Sequence, residues 1–294
     1  MYEKIVYTSD NPKLDYRVIL KRLKNRDFSY ILGRFLLVRK TYSLYKRMQQ
    51  IIFSPADVTR FSNQIENEST LNAKEISRQI DQNSYFDQLK LSDPLTTSIV
   101  NFAKTKNLVV RSSKLSLTYQ KYKEQDNNSL LLATAHLEDP LAILEIQRLR
   151  WDDFLLRIAE EYLGYYPQNC DVAVWWSFAN AISPAERRQQ LQTIDFHYGI
   201  HGFNFFYVCF YLTDVNTNSG AHVLVKGSHK HKQMSMLLRS ARCSDAMIQQ
   251  QYSDVEIITI EGKAGKCFLE DASCFHKALP PVENDRLFLQ LRYF

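Results

Sequence analysis

Seven histidines stand in this chain of 294 residues: His136, His197, His201, His222, His229, His231 and His276. Neutral imidazole is a common ligand for first-row transition metals, iron among them. Most histidines near apolar strands serve the core or the surface, so position has to choose among them. His197 lies just before the apolar run Phe203–Thr213. His276 follows the run Lys266–Glu270 and the turn Asp271-Ala272-Ser273-Cys274-Phe275. Ten residues later Arg286 opens the last apolar run. Two imidazoles that leave coordination positions open, beside a guanidinium fork for a carboxylate, would suit an iron centre that takes a carboxylate co-substrate and oxygen. Spacing alone does not establish such a centre.

The elements that must position these residues change character along the chain. The first half reads as helical. Ser54-Pro55-Ala56-Asp57 has the form of a cap followed by proline in the first turn. Asp139-Pro140 repeats it, and Leu141, Leu144, Trp151, Phe154, Leu155, Ile158 and Tyr162 recur at helical spacing, which predicts a helix over 140–163 stopped by Gly164. From Cys170 onward short β-rich runs follow one another: Asp171–Phe178, Phe203–Thr213, Ala221–Val225, Val255–Glu261, Lys266–Glu270 and Leu287–Phe294. Turn-rich pieces separate them, the pattern of a double-sheet jelly roll. The prediction is one α+β domain: a mainly helical part over 1–165 bracing a double-stranded β-helix (jelly-roll) core over 166–294. A polar, helix-prone insert at 233–252 would cover one mouth of the barrel.

Composition narrows the function classes. The 45% hydrophobic and 13% aromatic content supports a packed core. Charge interrupts every long apolar stretch well before the ~18 residues that span a bilayer. The start lacks the pattern of a secretory signal. A cytoplasmic protein with no membrane partner is the expectation. Five cysteines, an odd number without a CxxC pair, do not form a disulfide framework or a structural zinc motif. The net charge of +5 includes a basic stretch from Lys13 to Arg47, read as a solvated helical surface. No nucleic-acid-binding module accompanies it, so no nucleic-acid partner is expected. The charge leans instead toward a small-molecule substrate that is anionic or carrier-borne.

From Asp171 to Tyr293 the chain resembles the phytanoyl-CoA dioxygenase family. The resemblance is carried by Phe210-Tyr211-Leu212-Thr213-Asp214-Val215, Ser219-Gly220-Ala221-His222 and Val225-Lys226-Gly227-Ser228-His229-Lys230. It continues through Gly265–Asp271, Phe275-His276-Lys277, Arg286 and Arg292-Tyr293, in the same order and spacing. It implies iron(II), 2-oxoglutarate and O2 as cofactors and co-substrates. By position His197 would be the proximal iron ligand, His276 the distal one, and Arg286 the partner of the far carboxylate of 2-oxoglutarate. His229 falls in the family's Gly-Ser-His segment with a structural role, Asp271 is a candidate second-layer acceptor, and His201, His222 and His231 are read as non-ligands.

One position departs from the family. Its pattern at the proximal histidine is His-x-Asp, whereas this chain has His197-Tyr198-Gly199. Loss of the carboxylate takes one negative charge from the iron and opens a coordination position, and chloride would supply both. The same change marks the halogenases among iron/2-oxoglutarate enzymes, so chlorination of an aliphatic carbon is the expected reaction. A hydroxylase and a catalytically inactive binding protein on the same fold are the alternatives. Trp175, Trp176, Tyr198, Phe205 and Tyr207 are candidates to line the pocket, with alternate strand residues facing away. The substrate itself is not legible here.

Overall fold

A computed structural model describes residues 16–294, apart from 56, 57, 67, 112, 114 and 126–129. The helices are α1 (Tyr16–Lys24), α2 (Ser29–Leu32), α3 (Leu36–Ile52), α4 (Ala73–Asn83), α5 (Asp93–Thr105), α6 (Tyr119–Glu124), α7 (Leu144–Leu149), α8 (Asp153–Leu163), α9 (Pro184–Gln189), α10 (Met234–Leu237) and α11 (Asp245–Gln251). The N-terminal part also supplies strands β1 (Tyr85–Lys90), β2 (Asn107–Val109), β3 (Ser116–Thr118) and β4 (Thr134–Leu137). The rest are β5 (Cys170–Ser177), β6 (Phe196–His197), β7 (Phe206–Tyr211), β8 (His222–Val225), β9 (Arg242–Cys243), β10 (Ile257–Ile260), β11 (Lys266–Glu270), β12 (His276–Ala278) and β13 (Arg286–Tyr293). One sheet runs β1-β11-β7-β13-β5-β4-β2-β3 and the other β10-β8-β12-β6-β9, with antiparallel pairing. Two antiparallel sheets face to face, with helices behind the larger, give the jelly-roll α+β architecture.

Strand β7 shows why the sheets stack. Every residue from Phe206 to Tyr211 is buried. Tyr207, Cys209 and Tyr211 point between the sheets and meet Leu224 and Ile260. Phe206, Val208 and Phe210 point the other way and share a cluster with Ile80 of α4, Ile99 of α5 and Leu155 of α8. A strand covered on both faces reads as one unbroken apolar run. Truncating Phe210 to alanine would cost about 3–5 kcal/mol.

The long helix expected over 140–163 is three pieces: a 3-10 turn at Pro140–Ala142, then α7, then α8. The Asp152 carboxylate accepts the Leu155 N–H and starts α8 afresh. The break is held by backbone bonds on either side, Phe61 N–H to Trp151 O (3.0 Å) and Asp153 N–H to Phe61 O (2.7 Å). Gly164 ends α8 in the left-handed conformation, as expected. In the expected cap at Ser54–Asp57, Ala56 and Asp57 lie outside the described residues, and α3 has already ended at Ile52.

The insert at 233–252 holds α10, β9 and α11, and β9 pairs with β6. Its Met236, Cys243, Ile248 and Tyr252 pack on the outer face of the smaller sheet against Val223 and Val225. It therefore backs that sheet instead of covering a mouth. Among the described residues no helix is long and apolar enough to cross a membrane.

Candidate active site

The two histidines singled out in the sequence meet. His197 on β6 and His276 on β12 are direct antiparallel partners, with ring centroids 4.3 Å apart. The Nδ1 of His197 lies 3.1 Å from the Asp195 carbonyl, and that of His276 lies 3.0 Å from the Cys274 carbonyl. A carbonyl only accepts, so each Nδ1–H donates and each Nε2 keeps its lone pair for a metal. Burial, then the neighbouring His276, holds His197 well below the ordinary imidazole range. Burial also lowers His276, against the opposing pull of Glu270. Both rings are thus neutral near pH 7, the form in which imidazole can ligate.

Arg286 opens β13 and is 3% exposed. Its Nη1 donates to the Gly220 carbonyl and its Nη2 to Ser177 Oγ at 3.2 Å. Nε is buried with no hydrogen-bond partner, and no carboxylate among the described residues pairs with the guanidinium. A buried cation left without an anion is costly, so the arrangement is suited to the carboxylate of a ligand. Arg286, His197, His276 and Gly199 line one cavity of about 930 Å3, ample for a small molecule.

Gly199 is fitted into its surroundings. Its N–H donates to the Ala272 carbonyl at 2.6 Å. A Cβ added there would meet that oxygen at 2.9 Å and the Phe205 ring at 3.2 Å. The glycine therefore leaves no void where its side chain would begin, and room for an anion has to come from the cavity beyond it. Aspartate at this position would force the turn before His276 to move.

One carboxylate does lie near the histidines. Glu270, at the end of β11, is 1% exposed, and its Oε2 lies 2.9 Å from His222 Nε2. Ligand atoms of Glu270, Cys274 and His276 lie within 4.8 Å of one another, all three buried. The His222 ring stacks on His276 with centroids 5.3 Å apart. The sequence reading set His222 aside and did not single out Glu270. The one available signal was an acidic residue placed within the strand, directly after the apolar Cys267-Phe268-Leu269.

The profile of the family described as phytanoyl-CoA dioxygenase (PhyH) matches residues 52–282. The chain belongs to the phytanoyl-CoA dioxygenase family. It is accordingly a non-haem iron- and 2-oxoglutarate-dependent enzyme of oxygenase type. Among solved structures it is similar in fold to EctD from S. alaskensis with bound Fe: TM-score 0.51, 13% identity, covering 81% of this chain and 82% of that one. It is likewise similar to the epimerase SnoN in complex with Fe3+, alpha ketoglutarate and nogalamycin RO: TM-score 0.50, 14% identity, covering 76% and 83%. No curated protein matches the chain. The family match ends before Arg286, so that side chain rests on its own geometry.

Within this family member the remaining site candidates separate cleanly. Trp175, Tyr198 and Tyr207 line the cavity. Trp176 faces the other side of the sheet and stacks on Tyr119 at 3.9 Å, and Phe205 packs between the sheets. Alternation along β5 explains the Trp pair. Of the insert only Ala241 reaches the cavity. His201 also lines it, with Nδ1 2.6 Å from Arg292 Nη1. His229 is buried away from the histidine pair, its Nε2 3.1 Å from the Asp81 carbonyl.

Asp271 organises the turn that leads to His276. It pairs with Arg39 of α3 at 2.9 Å, accepts from Tyr162 Oη at 2.6 Å, and accepts the Ser273 N–H at 2.9 Å. Burial alone would raise its pKa, but Arg39 holds the carboxyl well below the usual range. Arg39 also donates to Asn204 Oδ1 at 2.8 Å and to Ser273 Oγ. One helix residue thereby ties together the loops that follow His197 and precede His276. Sequence reasoning missed it.

Proposed function

We propose that this enzyme is an iron(II)- and 2-oxoglutarate-dependent radical halogenase that chlorinates an unactivated aliphatic carbon of a small molecule. The observation that carries the reading is Gly199: no carboxylate stands two residues after His197, and the backbone there is fitted to glycine. His197 and His276 would hold the iron through Nε2, each ring fixed by its Nδ1–H bond. Arg286 would take the far carboxylate of 2-oxoglutarate, with Ser177 and the Gly220 carbonyl holding the fork in place. When bound, iron with 2-oxoglutarate and O2 supplies the oxidising power to break an aliphatic C–H bond, and chloride supplies the halogen. Two neutral imidazoles compensate less of the metal's charge than a set containing a carboxylate, which favours a bound anion. Trp175, Tyr207 and Phe288 give the cavity apolar wall. Arg111, Arg150 and Arg292 stand on the same lining, offset in part by Asp139 and by Asp171, which pairs with Arg292, and the remaining positive excess leans toward an anionic or carrier-borne substrate.

The test is product mass from candidate substrates turned over with and without chloride. A chlorine isotope pattern that vanishes without halide supports the reading, and efficient hydroxylation indifferent to chloride overturns it. The hydroxylase reading has its own supporting observation, the buried Glu270 carboxylate beside His276. In that reading Glu270 stands in for the missing aspartate, and Glu270→Gln should abolish tight iron binding. In the halogenase reading the same variant still binds iron, weakened by no more than about 10–100-fold, as for a residue behind the ligands.

A further inference from the structure

The basic N-terminal stretch has an unusual surface. Residues 20–53 hold nine Lys and Arg against a single carboxylate, Asp27. Six of the nine are exposed: Lys21, Arg22, Lys24, Arg26, Lys40 and Arg47. The same segment holds eleven of the nineteen exposed large hydrophobic residues among the described residues. On α3 they form a stripe: Leu37 (77% exposed), Leu44 (59%), Met48 (56%) and Ile51 (77%), spaced by seven, four and three residues. Ile52 and Phe53, each 70% exposed, prolong it. Lys40 and Arg47, seven apart, flank the stripe.

The opposite side of α3 is fixed to the protein. Arg39 reaches Asp271, Asn204 Nδ2 donates to Ser43 Oγ at 2.9 Å, and Gln50 exchanges two bonds with the Tyr166 backbone. The helix thus holds its apolar stripe outward.

We propose that the outward face of α1–α3 docks on an anionic lipid bilayer. Apolar side chains would enter the acyl boundary while lysine and arginine heads stay at the level of acidic headgroups. Charge decides for this occupant. A two-fold contact with a second copy would press the basic faces together, which like-charge repulsion opposes. A lipid surface offers negative charge and apolar depth together. The absence of a membrane partner expected from the sequence rested on spanning length, and surface docking does not need a spanning helix. Tyr30 of α2 lines the active-site cavity, so docking would set the cavity beside the headgroups.

The experiment is flotation of the full chain with vesicles of phosphatidylcholine alone or mixed with phosphatidylglycerol, at low and high salt. The protein should float with the mixed vesicles at low salt, stay behind with the neutral ones, and be released by salt. Each basic residue near the surface is worth about fivefold in partitioning, so Lys40→Glu/Arg47→Glu should bind about 25-fold more weakly or worse. Leu44→Ser/Ile51→Ser should also lose binding, with the circular dichroism and melting of the native chain, because both side chains are exposed. No flotation with anionic vesicles, or equal flotation of native and variant chains, overturns the proposal. A dimer in sedimentation that Leu44→Ser/Ile51→Ser dissociates would assign the face to self-association and overturn it as well.

Discussion

Replacing Arg39 by methionine should destabilise the protein and loosen its metal centre together. The Arg39–Asp271 pair is 2.9 Å long, with side chains 5% and 1% exposed. Removing one partner of such a pair leaves a buried charge uncompensated and typically costs ~3–5 kcal/mol. Asp271 keeps the Tyr162 hydroxyl and the Ser273 N–H, which places the expected loss near the lower end, about 3 kcal/mol. At about 2–4 °C per kcal/mol for a chain of this size, the melting temperature should fall by roughly 6–12 °C. The penalty should shrink in mild acid. Without Arg39 burial raises the Asp271 pKa, so protonation relieves the stranded carboxylate as pH falls. Because the Cys274 carbonyl of the same turn orients His276, iron affinity should drop about 10–100-fold. Urea unfolding and a metal titration measure the two effects. The double variant Arg39→Met/Asp271→Asn should lose less than the sum of the single losses, with a coupling of ~1 kcal/mol or more. Additive losses, or a single-variant cost under about 1 kcal/mol, would refute the reasoning.

Other expectations follow from the same geometry. Arg286→Gln should weaken 2-oxoglutarate binding about 30-fold or more by calorimetry on the iron-loaded protein, and unchanged affinity would move the role elsewhere, to Arg292 first. His276→Ala should abolish tight iron binding, and a variant still decarboxylating 2-oxoglutarate at the native rate would sink the ligand assignment. Burial raises the Asp152 carboxyl to about 6, against the help of the Leu155 N–H. Since its folded pKa lies above its unfolded one, this residue's contribution to stability declines as pH rises from about 4 to 6. Asp152→Asn, which can still cap α8, should remove that slope and stabilise the protein at pH 7 by about 2 kcal/mol in urea unfolding.

The β-rich half was legible in the sequence because its strands are stacked between covered faces: runs such as 206–211 are apolar throughout, with turn residues between them. His197, His276 and Arg286 each stand at a strand end, and it was the family resemblance of the segments around them, more than their spacing, that singled them out. The failures share a different physics. The helix over 140–163 breaks where Phe61, ninety residues upstream, bonds the backbone on both sides of Asp152, and no local pattern announces a partner so distant. Arg39 looked like one more charge in a basic run, yet its partner lies 232 positions further on. Glu270 and His222 gain meaning only when two sheets bring them within 2.9 Å. Gly199 was read as making room. The room at its Cβ is already taken by Ala272 and Phe205.

The central claim is that two histidines hold the iron and an anion from solution replaces the missing carboxylate. Anaerobic titration of the iron-loaded enzyme with 2-oxoglutarate, with and without chloride and followed by visible charge-transfer absorption, tests it without a known substrate. If halide fills the iron's coordination, chloride should shift the band and alter 2-oxoglutarate affinity, and 2-oxoglutarate should change chloride affinity by the same factor. Because aspartate at 199 crowds the turn before His276, Gly199→Asp is read only at full binding of iron and 2-oxoglutarate, where both effects should disappear. Identical spectra and affinities with and without chloride, at full binding of iron and 2-oxoglutarate, would contradict the account and leave Glu270 as the next residue to replace.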